Sequence, residues 1–253
     1  MSATDPQPVV TQPFDPQPVV TQPFDPHPVA ILLDALGTLV ALEPPAPRLR
    51  GELAARFGLE VTEQEATRAI AAEIAFYRAH LDEARDDETL LALRRRCAAV
   101  LRSALPPPAT RLELDPLVEA LLASLHFIPF PDVRPALVAA RTRGQRLVVA
   151  SNWDVSLVGV LRGLGLEPLL DGIVTSAGAG ARKPAPAIFE QALAVAGAPA
   201  SGTIHVGDSL EEDVAGARAA GIEPVLIRRA GGPVVAGVRT IESLSELVAP
   251  AAA

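Results

Sequence analysis

The sequence predicts an α/β protein, with a doubly wound parallel sheet and an all-α domain inserted after the first strand. Three observations support this prediction: short apolar runs of strand length recur from residue 29 onward, helical patterns separate the later runs, and residues 44–129 carry helical patterns alone. Because the apolar runs are continuous rather than alternating, we expect strands that helices cover on both faces. Alternation of such strands with helices is typical of a doubly wound sheet.

Five apolar runs are predicted to be strands, at residues 29–33, 147–150, 173–175, 203–206 and 224–227. Helical patterns precede or separate the last four of these runs, at residues 134–143, 153–164, 186–196 and 211–220. Residues 29–43 and 130–253 are therefore predicted to form one core domain.

The inserted stretch, residues 44–129, is predicted to contain no strand. Its amphipathic patterns indicate four helices, at residues 47–57, 63–81, 87–105 and 116–125. Such an insert between the first two strands of the core would sit above the carboxyl ends of the strands. We expect it to act as a lid, or cap domain, over a site at that edge.

Residues 1–28 read as a proline-rich tail outside the core. Residues 5–14 recur unchanged as residues 15–24, and a third copy starts at Asp25. The many prolines remove backbone donors and forbid helix, so we expect a disordered segment. The alternative is a docking segment, in which Val9-Val10 and Val19-Val20 pair with a sheet edge of a partner.

The bulk composition excludes several classes of function. The formal net charge is −8 and the pI is about 5.1, which argues against nucleic acid or an anionic membrane surface as a partner. Cys97 is the only cysteine, so an intrachain disulfide is impossible. No apolar run reaches the ~18 residues of a membrane span, and no signal-peptide pattern is present. We expect a cytoplasmic protein.

Polar residues follow the predicted strands where a parallel sheet gathers its ligands. Asp34 ends the first strand, Ser151-Asn152 the second, and Gly207-Asp208 the fourth, with Asp213 five residues after Asp208. A Gly-rich loop after the third strand leads to Lys183. Each feature alone is more typical of a turn or helix cap. Because the carboxyl ends of parallel strands share one edge, the four together indicate a single site.

These residues resemble the four motifs of the haloacid dehalogenase-like (HAD) hydrolase superfamily. The matching segments are Asp34-Ala-Leu-Gly-Thr-Leu, Ser151-Asn152, Lys183-Pro184 and Gly207-Asp-Ser-Leu-Glu-Glu-Asp213, and the resemblance spans about residues 29–229. It looks like subfamily I, in which the helical insert is a C1 cap. The resemblance implies a Rossmann-like HAD core and hydrolysis of a small phosphorylated substrate.

The resemblance also implies a role for each matching residue. Asp34 would attack phosphorus to give an aspartyl-phosphate, and Lys183 would neutralise the developing charge. Ser151 and the backbone N–H of Asn152, at the start of a helix, would hold the phosphoryl oxygens. Mg²⁺ would bind an oxygen of Asp34, the backbone carbonyl of Leu36, and the carboxylates of Asp208 and Asp213.

Leu36 is the one departure from the motif. In the phosphatases of this family the residue two after the nucleophile is an aspartate, which protonates the leaving oxygen and then activates water. Such general acid–base catalysis is typically worth 10²–10⁴-fold, and Leu36 has no group to supply it. The metal position is unaffected, because it uses only the carbonyl.

Three interpretations of Leu36 stay open. The protein is a phosphatase that is slow or limited to good leaving groups. Alternatively, it is a dehalogenase-like enzyme, whose carboxylate displaces halide without an acid or a metal, although Asp208 and Asp213 have no use in such a site. As a third possibility, it is a non-catalytic relative that binds a ligand or partner.

Seven further residues are interpreted as structural. We expect Tyr77 and His80 to pack in the helical insert, and Cys97 to be buried there and inert. The run Arg94-Arg95-Arg96 is read as mostly solvated, because consecutive helical positions face different directions. His205, inside the fourth predicted strand, is read as a packed histidine rather than a base.

Overall fold

A computed structural model describes residues 28–248. The repeated segment at residues 5–24, with the predictions made for it, lies outside the described residues. None of the helices within residues 28–248 is both long and apolar enough to cross a membrane.

The core is a six-stranded parallel sheet, which confirms the predicted fold class. Its order is β5-β4-β1-β6-β7-β8. The chain first places β4 and β5 on one side of β1, and then places β6, β7 and β8 on the other side. The strands are β1 (Ala30–Leu33), β4 (Arg146–Ser151), β5 (Gly172–Thr175), β6 (Thr203–Gly207), β7 (Glu223–Ile227) and β8 (Arg239–Ile241). The reversal at β1 places a crevice at its carboxyl end.

Alternate residues of β1 enter two different apolar layers. Ile31 and Leu33 pack into one cluster, which includes α5 (Val133–Thr142) and α6 (Leu157–Gly163). Ala30 and Leu32 enter the opposite cluster with α8 (Pro186–Ala196) and α9 (Gly216–Ala219). All four β1 side chains are buried, which explains why this strand reads as a continuous apolar run rather than an alternating one.

Four helices lie between the first and second strands of the core, as the amphipathic patterns predict. They are α1 (Pro45–Phe57), α2 (Glu63–His80), α3 (Asp87–Ala104) and α4 (Leu114–Ser124), and we call residues 45–124 the helical insert. The insert has its own apolar core, which includes Leu53, Ile70, Leu93, Leu101 and Leu117. Capping boxes at Thr62 and Asp86 fix where α2 and α3 begin.

The expectation of no strand within residues 44–129 is wrong. β2 (Val40–Leu42) pairs antiparallel with β3 (Phe127–Pro129), and the two strands form the connections into and out of the helical insert. Each strand has three residues, too few to show a period, and their pairing joins segments far apart in sequence. β8 and the short helix α10 (Ser245–Val248) were not predicted either.

Three segments near the site differ from their predictions; two of them were predicted as helices and one as a loop. The pattern at residues 153–164 becomes helical only at Leu157, because the Asp154 carboxylate accepts a hydrogen bond from the Ser156 N–H and forms a turn before it (2.7 Å). The Gly-rich stretch after β5 is a one-turn helix, α7 (Ser176–Ala179), and the pattern at 211–220 splits into a π-helix, Leu210–Ala215, followed by α9.

A half-buried ion pair fixes the strands that lead to the helical insert. The Arg229 guanidinium donates to both oxygens of Asp132 (2.7 and 2.8 Å) and to the carbonyl of Thr38, and it lies 4.2 Å from the centre of the Phe130 ring. Asp132 also accepts from the backbone N–H of Leu244 (2.7 Å). Both connections are thereby tied to the end of β7.

Replacing Asp132 by alanine should lower the free energy of unfolding by about 2–4 kcal/mol, because a largely buried guanidinium loses its carboxylate partner. Urea denaturation monitored by circular dichroism measures the change. Asp115→Ala is the matched control, since it removes a pair with Arg95 that is exposed on both sides and therefore contributes little to stability. Equal losses in the two variants would contradict this account of Arg229 and Asp132.

Candidate active site

Asp34 lies at the crevice at the centre of the sheet. Its backbone N–H continues the β1–β6 ladder by donating to the Val206 carbonyl (2.9 Å), so the sheet fixes the residue in place. The carboxylate is buried, and Oδ1 accepts hydrogen bonds from Ser151 Oγ (2.9 Å) and Lys183 Nζ (2.6 Å). Burial raises the pKa of Asp34, although the charge of Lys183 opposes the rise. Within residues 28–248 no donor is hydrogen-bonded to Oδ2, which is free to face a reactant.

Lys183 is a buried charged group that lies beside Asp34. Its ammonium is 1% exposed and lies 2.6 Å from Asp34 and 2.5 Å from Asp213. Burial alone would lower the pKa of Lys183, but the two carboxylates outweigh it and raise the pKa. Lys183 therefore stays charged and places a fixed positive charge beside the Asp34 carboxylate.

Asp213 is held as firmly as the lysine that it contacts. Its Oδ1 accepts from Lys183 and lies 2.8 Å from His205 Nε2, while Oδ2 accepts from the Ser209 N–H (2.9 Å). Burial works against ionisation of Asp213, but Lys183 and His205 outweigh it and lower the pKa. His205 is fully buried and packs edge-on against Phe189, so it is the packed histidine that the sequence predicted, with a contact to Asp213 that the sequence did not reveal.

Asp208 lies close to Asp34 because Gly37, which is next to its carboxylate, has no side chain. Gly37 has φ +80°, and a Cβ built there would lie 2.2 Å from Asp208 Oδ2, so only glycine allows this approach. One carboxylate oxygen each of Asp34, Asp208 and Asp213 lie within 4.8 Å of one another. Asp208 is the exposed member of the cluster. Partial desolvation, and then the charges of Asp34 and Asp213, raise its pKa to about 6. The cluster has excess negative charge, because three carboxylates face the single ammonium of Lys183.

The cluster fits a hard divalent cation. The donors are carboxylate oxygens, which Mg²⁺ prefers, and within residues 28–248 no donor is hydrogen-bonded to the carbonyl oxygen of Leu36. Asp213 fits less well, because both of its oxygens already accept hydrogen bonds. A carboxylate so committed is better suited to holding Lys183 than to binding the ion directly.

The Ser151-Asn152 pair is brought to the site, but in contacts that differ from those expected. Ser151 donates to Asp34. The Asn152 side chain makes two hydrogen bonds with the backbone of Lys183. It donates to the carbonyl (3.1 Å) and accepts from the N–H (2.7 Å). The expected helix start at Asn152 is wrong, because α6 begins only at Leu157. Asn152 thus positions the lysine.

A polar clasp joins the helical insert to the core beside Lys183. The Asp82 carboxylate, just after α2, accepts from Ser176 Oγ (2.5 Å) and Arg182 Nε (2.7 Å). Arg182 also donates to the carbonyl of Arg78 (3.2 Å). In the sequence, only the position of Arg182 directly before Lys183 links this clasp to the site. The two halves of the clasp are about 100 residues apart, so local sequence patterns do not predict their contact.

A cleft of about 730 Å³ lies between the helical insert and the core. It is lined by Leu36 and Asn152 from the site, and Tyr77, Cys97 and Arg94 face it from the insert. Cys97 is buried, as expected. Arg95 and Arg96 are exposed in ion pairs, so the arginine run faces different directions as its spacing indicated.

Residues 29–221 match the haloacid dehalogenase-like hydrolase family. Haloacid dehalogenase-like hydrolase domain-containing protein 3 of Danio rerio is 43% identical over 103 residues, 41% of this chain and 43% of that protein. A ribulose-1,5-bisphosphate 5-phosphatase of Halopiger xanaduensis is 34% identical over 131 residues, 51% of this chain and 54% of that protein. The chain thus spans about half the length of these relatives, or less.

The fold is also that of solved haloacid dehalogenases. The crystal structure of a defluorinating L-2-haloacid dehalogenase is 25% identical to this chain, with a TM-score of 0.66. The match covers 87% of this chain and 93% of that one.

Gly37→Ala should abolish the Mg²⁺-induced rise in thermal unfolding midpoint, because the new methyl group pushes Asp208 away from Asp34. Gly144→Ala is the matched control: its φ is +77°, so it carries the same backbone strain of about 1–2 kcal/mol, but a Cβ there meets nothing within 4 Å. Thermal unfolding with and without Mg²⁺ gives both values. A full Mg²⁺ response in Gly37→Ala would show that Asp208 is not needed for the ion.

Proposed function

We propose that this chain, which belongs to the haloacid dehalogenase-like hydrolase family, is a Mg²⁺-dependent phosphatase. Its substrate is a small phosphorylated metabolite, and the reaction passes through an aspartyl-phosphate on Asp34. The observation that carries the proposal is the convergence of a buried carboxylate, a buried charged lysine and a second carboxylate, Asp208, at the carboxyl end of β1. A phosphatase name among the relatives supports the same reaction class.

In this mechanism the chain's own residues prepare Asp34 for in-line attack. Ser151 and Lys183 hold Oδ1, which fixes the carboxylate plane and leaves Oδ2 to approach phosphorus. Asp213 and Asn152 hold Lys183 by its ammonium and its backbone. Because the ammonium is already in place, it stabilises charge in the transition state without reorganising.

Asp34, Asp208 and the Leu36 carbonyl would hold the Mg²⁺, with Asp213 behind them. When bound, the ion supplies charge neutralisation between the carboxylate nucleophile and the phosphate dianion, which otherwise repel each other. The excess negative charge around Asp208 supports this assignment.

A dehalogenase is the second candidate. Leu36 favours it, because displacement of halide needs no proton donor, and the likeness to a solved dehalogenase is consistent with it. The Asp208 carboxylate weighs against it, because a third acid beside the nucleophile adds repulsion that halide displacement gives no reason to maintain. Chloride release from 2-chloropropionate without metal distinguishes this activity from phosphate release.

Asp34→Asn should lower the Mg²⁺-dependent hydrolysis of p-nitrophenyl phosphate by roughly 10³-fold or more, because the amide cannot form the covalent intermediate. The measurement is nitrophenolate release at a fixed Mg²⁺ concentration. The control is Asp115→Asn, which changes an exposed carboxylate of the helical insert. An inactive wild-type protein, or an unchanged rate in Asp34→Asn, would contradict the catalytic proposal. The protein would then be interpreted as a non-catalytic relative.

Leu36→Asp should raise kcat on alkyl phosphates by about 10- to 100-fold, because it restores a proton donor at the leaving oxygen. The gain on p-nitrophenyl phosphate should be much smaller, since nitrophenolate leaves without a proton. Steady-state rates on a matched pair of alkyl and nitrophenyl esters give the comparison. Equal gains on both esters would mean that acid catalysis is not what limits the natural protein.

A further inference from the structure

The cleft beside the site is larger and more apolar than a small sugar phosphate needs. Its volume of about 730 Å³ is in the range that holds a drug-sized ligand. Apolar side chains from both sides line it, including Leu36, Leu121, Leu122, Leu125, Phe127 and Trp153. Leu36 is both part of this wall and two residues from Asp34, so the group that leaves phosphorus when Asp34 attacks would lie in this cleft.

The polar groups deep in the cleft differ in what they already bind. The Tyr77 hydroxyl donates to Asp154 Oδ2 (3.0 Å), and Asp154 Oδ1 accepts from the Ser156 N–H, so these groups are paired. Glu73 is 4% exposed, and the only polar contact of its carboxyl among the described residues is with the Cys97 thiol. A thiol is a weak partner. A carboxyl group can make more hydrogen bonds than one thiol supplies, so Glu73 retains hydrogen-bonding capacity for a ligand.

The chemistry at Leu36 restricts the leaving group. An alkoxide expelled into an apolar wall would be strongly basic, poorly solvated and without a proton donor. An aryl oxide is a far weaker base whose charge spreads over its ring. The phosphorus–oxygen bond can then break with its electron pair on the aryl oxygen, which takes a proton from solvent afterwards. Water then cleaves the aspartyl-phosphate, so an aryl phosphate and water give a phenol and inorganic phosphate.

Building on the phosphatase function above, we propose that the substrate is an aryl phosphate monoester. Its ring system is apolar and larger than a single benzene ring, and it carries a hydrogen-bonding group that meets Glu73. The ring system occupies the cleft between Leu36 and the helical insert. Leu36 then contacts the substrate, in addition to occupying the position at which the phosphatases of the family have an acid.

Three esters separate the parts of this proposal: phenyl, 1-naphthyl and cyclohexyl phosphate, assayed with Mg²⁺ by phosphate release. The second ring should raise kcat/KM about tenfold or more, because it fills apolar space. Cyclohexyl phosphate, apolar but a poor leaving group, should be at least about 100-fold slower than phenyl phosphate. A faster cyclohexyl ester, or no gain from the second ring, would overturn the proposal.

Paired variants locate the effect in the cleft. Leu122→Gln, on the α4 wall, should reduce the preference for naphthyl over phenyl phosphate several-fold. Leu91→Gln should not, because Leu91 is 46% exposed on α3 and lies outside the cleft. The same reduction in both variants would place the preference elsewhere and overturn the assignment.

Glu73 is tested with monophosphates of the dihydroxynaphthalenes, which add one hydroxyl at different ring positions. At least one isomer should have a KM about tenfold below that of 1-naphthyl phosphate. Glu73→Leu should remove that advantage, so that the hydroxylated ester and 1-naphthyl phosphate have equal KM values, and Glu73→Gln should retain it. An advantage that survives Glu73→Leu would overturn the role of Glu73.

Different results would contradict the phosphatase function and the aryl-phosphate substrate. If no ester gives phosphate release that depends on Mg²⁺ and Asp34, the phosphatase function fails and the aryl substrate fails with it. If phenyl phosphate is hydrolysed in an Asp34-dependent way but the naphthyl esters gain nothing, the function stands and only the substrate class is wrong.

Discussion

The site depends on one buried ammonium held between two carboxylates. Moving a lysine out of water costs several kcal/mol, and a single carboxylate rarely offsets that cost. Lys183 lies within hydrogen-bonding distance of both Asp34 and Asp213, and Asn152 fixes its backbone. These contacts tie together the ends of β1, β4 and β6 and the loop after β5. The geometry of the nucleophile is therefore a consequence of satisfying one buried charge.

The remaining negative charge follows from the same arrangement. Two carboxylates are compensated by one lysine, so Asp208, brought close by Gly37, has no cation of its own in the cluster. Repulsion and partial burial make its ionisation unfavourable. In the proposed function this imbalance provides the affinity for Mg²⁺. The ion would complete a charge balance that the side chains leave incomplete.

Leu36 and the cleft are physically consistent with each other. A carboxylate at that position would face Trp153, Phe127 and leucines, where its charge would be poorly solvated. A leucine there cannot transfer a proton, but it makes apolar contact with the group that occupies the cleft. In the proposed function, the loss of acid catalysis and the apolar leaving-group site thus both follow from the leucine at position 36. The clasp of Asp82 on Ser176 and Arg182 holds the helical insert over that site.

The sequence alone determined the parallel sheet, the four helices of the insert and the residues that converge at β1. These follow from local information: continuous apolar runs, helical periodicity, and polar residues directly after strands. It also identified Leu36 as a departure from the motif, and the loss of acid catalysis that this departure implies stays a prediction. The two three-residue strands β2 and β3 escaped prediction, because pairing across the whole insert leaves no local period.

Only the tertiary structure decided how the site residues contact one another. It showed that Ser151 and Asn152 hold Asp34 and Lys183, that His205 touches Asp213, and that Glu73 faces the cleft with a thiol as its partner. These contacts join residues from different elements, often more than 30 positions apart. Side-chain direction and burial at such distances are set by packing, which a single sequence does not display.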